Sequence, residues 1–199
     1  MRTLGITGGI GSGKSVVAAR LAEKPGVRVV HADDVAKRLM QEEPALRTAL
    51  VERFGAEVYD AGGRLNRPAL AARVFADARE LAALNALVHP AVRRELLADI
   101  ERARADGVAL LVYEAALIFE TGADRHLDAV AAVDAPVEDR LARVQARDGV
   151  SREQVEERMR HQLPPKDLRR LADFVIENDG DLAHLHAQVD ALYERLVAA

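Results

Sequence analysis

A glycine-rich segment close to the amino terminus constrains the fold of this chain more than any other feature. Residues 8–15 read Gly-Gly-Ile-Gly-Ser-Gly-Lys-Ser and match every fixed position of the pattern G-x-x-x-x-G-K-[ST]. A short apolar run at residues 4–7 predicts a strand before the segment, and apolar residues recur at helical spacing after it. The alternative, a glycine turn with a chance lysine, is disfavoured by this context. The segment therefore predicts a phosphate-binding loop between a strand and a helix, and a protein that binds a nucleoside triphosphate.

The chemistry of the loop follows from the backbone that glycine permits. Glycines let successive N–H groups point into one concavity, and the helix that follows adds the positive end of its dipole. We expect the Lys14 ammonium to reach the terminal phosphates and the Ser15 hydroxyl to ligate Mg²⁺. The loop residues predicted to bind the nucleotide are Gly8, Gly9, Ile10, Gly11, Ser12, Gly13, Lys14, Ser15 and Val16.

Composition excludes several other classes of protein. Because the chain has no cysteine, it has no disulfides, no thiolate catalysis and no cysteine-ligated metal site. A net charge of −4 gives no case for general nucleic-acid binding. No apolar run approaches the roughly 20 residues of a membrane-spanning helix, and no secretory leader is visible. We therefore expect a cytoplasmic protein without nucleic-acid or membrane partners.

Short apolar runs alternate with longer amphipathic segments, which is typical of an α/β protein with a parallel sheet. We predict a five-stranded parallel sheet with helices on both faces. From residue 68 to about 104 the pattern is helical throughout, with Phe75 among its apolar positions and a break at His89-Pro90. This stretch predicts a helical insertion. The predicted strands are residues 4–7, 27–30, 108–112, 130–133 and 174–176.

Acidic residues follow two predicted strands, at the edge where α/β sheets bind ligands. Asp33 comes just after the second strand, where a carboxylate can accept a proton from an attacking hydroxyl or help to hold Mg²⁺. Capping of the following helix is an equally good interpretation of Asp33. Glu114 ends the third strand, and the apolar run before it favours a role near Mg²⁺ over that of a surface glutamate.

Three arginines at helical spacing form a second candidate group. Arg140, Arg143 and Arg147 lie three and four residues apart, so one helix can present them on one face. Forked guanidinium donors suit triphosphate oxygens that gain charge during transfer. The alternative is a solvated face paired with carboxylates such as Glu138. Because a phosphate loop is present and a break at Gly149 follows, we expect an arginine lid over the nucleotide.

The chain resembles the dephospho-CoA kinase family over essentially its whole length. The phosphate loop is shared by many families, but the ordered combination of segments is much more specific. The segments that carry the resemblance are residues 7–15, 32–33, 64–67, 84–85, 89–90, 117–120, 143, 147–148, 162, 172–173 and 178–180.

The resemblance implies a P-loop NTPase core with two additions. The core covers residues 1–59 and 108–199, including a lid at about residues 140–163, and a helical acceptor domain covers residues 60–107. The implied reaction is transfer of the γ-phosphate of ATP, with Mg²⁺, to the ribose 3′-hydroxyl of dephospho-CoA. A monomer is favoured.

The resemblance also implies roles for single residues. Asp33 becomes the base, acting with Lys14 and Arg143 as the catalytic set, and Asn178 lies near the adenine of ATP. The residues implied to bind the acceptor are Asp33, Arg64, Arg67, His89 and Glu120.

Three positions depart from the family pattern. Val16 stands where a threonine usually follows the loop serine, and Ala116 replaces a proline, which loosens that turn. His31 takes the first place of the usual Asp-x-Asp and leaves Asp33 as its one carboxylate.

Two other functions stay open on the residues alone. One is another P-loop kinase that acts on a nucleoside or nucleotide, and the other is a GTPase-type switch. The switch is disfavoured because the turn at residues 178–181 lacks the lysine of a guanine-reading Asn-Lys-x-Asp segment.

Overall fold

One parallel sheet organises the fold. The computed structural model describes residues 1–74 and 77–197, so Phe75 lies outside the described residues. Within them, five strands lie in the order β2-β3-β1-β4-β5, and all neighbours are parallel. Every predicted strand is present, and the predicted α/β class with a five-stranded parallel sheet is confirmed. The strands are β1 (Arg2–Thr7), β2 (Val27–His31), β3 (Leu110–Glu114), β4 (Ala129–Asp134) and β5 (Phe174–Glu177).

Helices connect these strands and form a separate group after β2. No helix in the described part of the chain is long and apolar enough to cross a membrane. Two short 3₁₀ helices lie at Ala56–Val58 and Ala123–His126. The α-helices of the described residues are α1 (Lys14–Ala22), α2 (Ala32–Glu42), α3 (Pro44–Phe54), α4 (Arg67–Val74), α5 (Ala78–Ala105), α6 (Val137–Asp148), α7 (Arg152–Arg160), α8 (Pro165–Leu171) and α9 (Leu182–Val197).

The central strand β1 is buried on both faces, as a parallel strand between two neighbours should be. On one face Leu4 and Ile6 pack in a core with residues of α1 and α9. On the other, the backbone of Gly5 lies close to the side chains of Ile118 and Leu127. Packing on both faces holds β1 in the centre of the sheet. Because the strands are parallel, their carboxyl ends lie at one edge of the sheet.

The third strand begins two residues later than predicted. Val108 and Ala109 belong to the connection, since their N–H groups donate to the carbonyls of Ala103 and Gly26. β3 also extends two residues beyond the predicted range 108–112, so Glu114 is its last residue, in keeping with the prediction that Glu114 ends this strand.

The chain divides into two compact units. The first comprises Met1–His31 and the chain from Ile100 onward, and it contains the sheet. The second, Ala32–Asp99, is helical and begins earlier than the predicted acceptor domain, residues 60–107, which it overlaps. Its own apolar core consists of Leu39, Leu46, Leu50, Phe54, Val58, Leu70, Val74, Val88 and Ala91.

The helix break predicted at His89-Pro90 is wrong. Helix α5 runs without interruption from Ala78 to Ala105, with Pro90 inside it. Proline removes the N–H that would donate to the Ala86 carbonyl, which usually ends or kinks a helix. Here Val88 and Ala91, on either side, are buried in the core of the second unit. Tertiary packing therefore outweighs the local penalty.

Candidate active site

The phosphate loop takes the backbone conformation that its glycines permit. Gly8, Gly11 and Gly13 have φ values of 149°, 78° and 100°, in the region that side chains disfavour. A Cβ at Gly8 would collide with the Val133 carbonyl, and one at Gly11 with the backbone of Arg140. The loop is thus closely packed between β4 and α6, and glycine is required on both grounds.

Lys14 and Ser15 lie where the motif predicts them, at the start of α1. Lys14 is the first helical residue, and its Nζ donates to the carbonyls of Gly8 at 2.9 Å and Gly9 at 3.3 Å. Ser15 and Val16 are exposed in the same turn. The ammonium therefore lies across the opening of the loop, and the Ser15 hydroxyl is accessible beside it.

The loop is supported from β5 by Asn178. This buried residue donates from Nδ2 to the Ser12 carbonyl at 2.7 Å, and its backbone N–H donates to the Asp134 carbonyl at 2.7 Å. The Ser12 hydroxyl is buried and makes no hydrogen bond within the described residues. In this structure the Asn178 amide therefore contacts the backbone of the phosphate loop.

Glu114 lies beside the loop because β3 neighbours β1. It pairs in register with Ile6, two residues before Gly8. Its Oε2 lies 2.8 Å from Nδ1 of His31, the last residue of the adjacent strand β2. The glutamate side chain is 14% exposed and the histidine 43%, so the carboxylate is sheltered and the imidazole faces solvent. The departure at position 31 thus gives Glu114 a hydrogen-bond partner.

Two of the three predicted lid arginines contact the loop. Arg140 is only 4% exposed, and its Nε donates to the Ile10 carbonyl at 3.0 Å. Burial lowers the pKa of this guanidinium, and Asp134 acts in the opposite direction. Arg143 is exposed, and its Nη1 donates to the Gly11 carbonyl at 3.3 Å. Both guanidinium groups are thus anchored to the loop backbone.

Arg147 points elsewhere. It pairs with Asp148 at 2.7 Å, and this hydrogen bond raises the pKa of Arg147 and lowers that of Asp148. Asp148 also accepts from Arg158 of α7. The break predicted at Gly149 is present, with φ 65° at the end of α6 and a capping box formed by Ser151 and Gln154 at the start of α7.

The segment after α7 contacts the loop through a residue whose role the sequence analysis missed. The Ile10 N–H donates to Gln162 Oε1 at 2.8 Å, and the next residue, Leu163, donates its N–H to Glu120 Oε1 at 2.9 Å. Glu120, predicted to bind the acceptor, therefore holds the turn beside Gln162. Residues 10 and 162 are far apart in sequence, and only the resemblance singled out Gln162.

Four predicted acceptor-side residues belong to the second unit. Asp33 is exposed as the second residue of α2, so the position that precedes this helix is His31, which weakens the interpretation of Asp33 as a cap. Arg64 and Arg67 are exposed at a loop end and at the start of α4. His89 is half-buried in α5, and burial lowers the pKa of its imidazole, with a smaller contribution from Arg93.

The loop that presents Arg64 is well braced. Asp60 Oδ1 accepts the N–H groups of Gly62 and Arg64, both at 2.9 Å. Gln41 bonds the N–H of Leu65 and the carbonyl of Gly63. Arg64 is thus an exposed side chain on a fixed backbone.

A comparison with known proteins assigns the chain to a family. The family model described as dephospho-CoA kinase matches residues 2–184. This chain belongs to the dephospho-CoA kinase family. A dephospho-CoA kinase of Salinibacter ruber is 53% identical over 193 residues, which is 97% of this chain and 96% of the relative. One of Chlorobaculum tepidum is 44% identical, covering 98% and 94%.

Solved structures agree on the fold. A protein of Thermus thermophilus, 41% identical, superposes with a TM-score of 0.78 and covers 98% of this chain and 97% of its own. The dephospho-CoA kinase of Campylobacter jejuni has a TM-score of 0.73 with the same coverage, and at 24% identity it speaks for the fold alone. Like other members of the dephospho-CoA kinase family, the protein is therefore a kinase with a P-loop nucleotide-binding fold.

Proposed function

We propose that this protein phosphorylates the ribose 3′-hydroxyl of dephospho-CoA with ATP, giving coenzyme A and ADP. The observation that carries the proposal is the phosphate loop, with its positive-φ glycines and Lys14 across its opening. It occurs in a chain matched by the dephospho-CoA kinase family model over residues 2–184.

The loop and α1 hold the triphosphate in this proposal. Among the backbone N–H groups of residues 11–15, that of Ser12 donates to the Gly9 carbonyl at 3.1 Å. We propose that the others face the β- and γ-phosphates, whose negative charge the helix dipole favours. The Lys14 ammonium exchanges its carbonyl partners, Gly8 and Gly9, for phosphate oxygens.

Mg²⁺ is expected beside Ser15. Mg²⁺ prefers oxygen ligands, keeps several waters and is commonly held by one or two protein groups together with phosphates. An exposed Ser15 hydroxyl and the sheltered Glu114 carboxylate at the end of β3 fit these requirements. In the described residues no cluster of three or more His, Cys, Asp or Glu side chains forms a complete metal cage. The bound ion would supply charge neutralisation at the β- and γ-phosphates.

Asp33 is the proposed base. In the transfer, the 3′-oxygen forms a bond to the γ-phosphorus while the bond from that phosphorus to the β–γ bridging oxygen breaks. The hydroxyl proton passes to the Asp33 carboxylate, and ADP leaves with the bonding electron pair. Exposure of Asp33 in the first turn of α2 supports this role, since a carboxylate there is accessible to a substrate.

The arginines of α6 complete the proposed nucleotide-binding site. Arg143 and Arg147 are exposed and can turn to the triphosphate, and Arg140 acts from its buried position against the loop. Residues 140–163 then serve as a lid that stabilises charge on the transferring group. Asn178 supports the loop through its hydrogen bond to the Ser12 carbonyl, and we propose that it lies near the adenine of ATP.

Acceptor binding is proposed for residues 60–107, with Asp33 and Glu120 contributing from the remaining residues 1–59 and 108–199, which form the nucleotide core. Arg64 and Arg67 offer guanidinium groups to the phosphates of dephospho-CoA, and His89 and Glu120 offer hydrogen bonds. We further propose that the protein acts in the cytoplasm as a monomer, with no nucleic-acid or membrane partner.

A transfer assay with γ-phosphate-labelled ATP, Mg²⁺ and dephospho-CoA tests the proposal. Label is expected in coenzyme A at the 3′ position, with one ADP formed for each labelled product. Omission of Mg²⁺ should abolish transfer. Label that appears only in inorganic phosphate would contradict the proposed reaction.

A further inference from the structure

Ile10, at the tip of the phosphate loop, is held by three kinds of contact from one segment of the chain. Its N–H donates to Gln162 Oε1 at 2.8 Å. Its carbonyl accepts from Arg140 Nε at 3.0 Å. Its side chain packs against the apolar cluster that α6 and α7 form between them. Both backbone groups and the side chain of Ile10 are therefore engaged by residues 140–162. The buried members of the cluster are Leu141, Val144 and Val155.

Gln162 makes its contact from an anchored position. Its own N–H donates to the Met159 carbonyl at 3.1 Å, in the turn that follows α7. The N–H of Leu163 donates to Glu120 at 2.9 Å. Because the backbone is held on both sides, the side-chain amide of Gln162 is directed to Ile10 at little further cost in conformational entropy. All these residues belong to the first unit.

The loop needs such support because of its composition. Ile10 is flanked by Gly9 and Gly11, and glycine has the greatest backbone freedom of any residue. A phosphate-binding loop is effective when its N–H donors already converge, since ordering them upon binding would cost affinity. A contact that fixes the tip thus favours binding without touching the ligand.

We propose that Gln162 is a positioning residue for nucleotide binding. Gln162 accepts a hydrogen bond from the Ile10 N–H and thereby keeps the tip of the loop in its binding conformation. The same bond couples the loop to residues 137–162, which contain α6 and α7. This role rests on the proposed function of the loop. Ile10, Arg140 and Gln162 are together called the tip clamp.

Replacement of Gln162 tests the tip clamp. Gln162→Leu removes the acceptor and keeps the bulk, whereas Gln162→Glu retains an acceptor oxygen. Gln188→Leu makes the same chemical change on α9, outside the lid and the clamp, where Gln188 Oε1 accepts the Glu177 N–H at 2.9 Å. Calorimetry gives the Kd of Mg²⁺ with a nonhydrolysable ATP analogue, and NMR gives the exchange rate of the Ile10 amide proton in the nucleotide-free protein.

We expect Gln162→Leu to weaken analogue binding by about two- to tenfold, the range for one hydrogen bond. The Ile10 amide should exchange faster in the same variant, with the thermal midpoint close to that of the parent. Gln162→Glu should recover most of the affinity, and Gln188→Leu should bind the analogue as the parent does. If Gln162→Leu fails to fold, Gln162→Asn, which cannot reach Ile10 without backbone movement, takes its place with the same expectation.

The outcomes separate this role from the function on which it rests. A parent protein that does not bind the analogue would overturn the function of the loop and this role with it. A parent that binds, beside a Gln162→Leu variant of unchanged Kd, would overturn the role of Gln162 alone, whether or not Ile10 exchange changes.

Discussion

At the scale of single residues, backbone geometry dictates which side chains can occupy the site. Gly8 and Gly11 have positive φ, and a Cβ on either would meet the backbone of a neighbouring element. This leaves Lys14 as the side chain that projects over the loop, with its ammonium on the carbonyls of Gly8 and Gly9. If Lys14 acts on the nucleotide as proposed, its substitution should lower activity without unfolding the protein.

Lys14→Ala should lower kcat by about 10²–10³-fold, since that is the usual cost of losing one preorganised donor to a developing charge. Circular dichroism and the thermal midpoint should stay close to those of the parent. Lys166→Ala, at an exposed position of α8, serves as the matched control and should keep full activity. Near-parental turnover in folded Lys14→Ala would contradict the assignment of the loop.

Asp33→Asn distinguishes a base from a helix cap. The amide keeps the shape of the side chain and removes its basicity, so kcat should fall strongly while the KM for dephospho-CoA changes little. Asp34→Asn, the next residue in the same turn of α2, should be active, because Asp34 pairs with Lys37 on the surface. Since Asn caps helices as well as Asp does, an unchanged kcat at saturating substrates would favour the cap.

His89 should make stability depend on pH. Burial lowers its pKa in the folded protein, so the folded state resists protonation while the unfolded state binds a proton near its ordinary pKa of about 6.5. Stability should therefore fall as the pH drops below that value. In urea titrations between pH 8 and pH 5, His89→Gln should lose less stability than the parent, whereas His184→Gln, at an exposed position of α9, should follow the parent. Parallel curves for all three proteins would contradict this.

At the scale of elements, helix α6 carries the three arginines that are proposed to act on the nucleotide. Arg140 and Arg143 reach the loop backbone, whereas Arg147 pairs with Asp148. Spacing predicted the helices and the break at Gly149, because period and glycine chemistry are local signals. Spacing could not predict which arginines contact the loop and which one pairs with Asp148, since that depends on where the loop carbonyls and Asp148 lie in three dimensions.

Arg143 should contribute to transfer and little to stability. Arg143→Ala is expected to lower kcat/KM far more than the thermal midpoint, because an exposed side chain holds little of the core together. Arg143→Lys should restore only part of the activity, since an ammonium keeps the charge and loses the forked geometry. Arg160→Ala, an exposed arginine of α7 paired with Glu157, is the control. An Arg143→Ala enzyme as active as its parent would leave Arg143 as surface charge.

Hydrogen exchange tests the lid itself. Residues 140–163 should exchange faster in the free protein than after a nonhydrolysable ATP analogue and Mg²⁺ are added, because the bound nucleotide adds contacts to the segment. The strands of the sheet serve as the internal reference, with slow exchange in both conditions. Equal exchange of the segment with and without nucleotide would remove the lid from the mechanism.

At the scale of the whole molecule, the sequence predicted what depends on local pattern. The loop motif, five strands and their parallel sheet are in place, because apolar runs of strand length and a glycine-rich turn carry their own structural signal. The continuity of α5 through Pro90 was missed, since packing of Val88 and Ala91 decides it. The pairs His31–Glu114 and Ile10–Gln162 were missed because each joins distant parts of the chain.

The residues proposed for the nucleotide and those proposed for the acceptor fall largely into different compact units of the chain. The first holds the phosphate loop, Glu114 and the α6–α7 segment, and the second holds Asp33, Arg64, Arg67 and His89. A general nucleoside or nucleotide kinase would share the first set and would use a different acceptor.

The central claim is tested most directly by kcat/KM for phosphate transfer from ATP to a panel of acceptors. The panel comprises dephospho-CoA, adenosine, AMP and a dephospho-CoA analogue that lacks the ribose 3′-hydroxyl. The account predicts that dephospho-CoA is preferred over adenosine and AMP by orders of magnitude and that the 3′-deoxy analogue receives no phosphate. Comparable transfer to adenosine or AMP, or phosphorylation of the 3′-deoxy analogue, would contradict it.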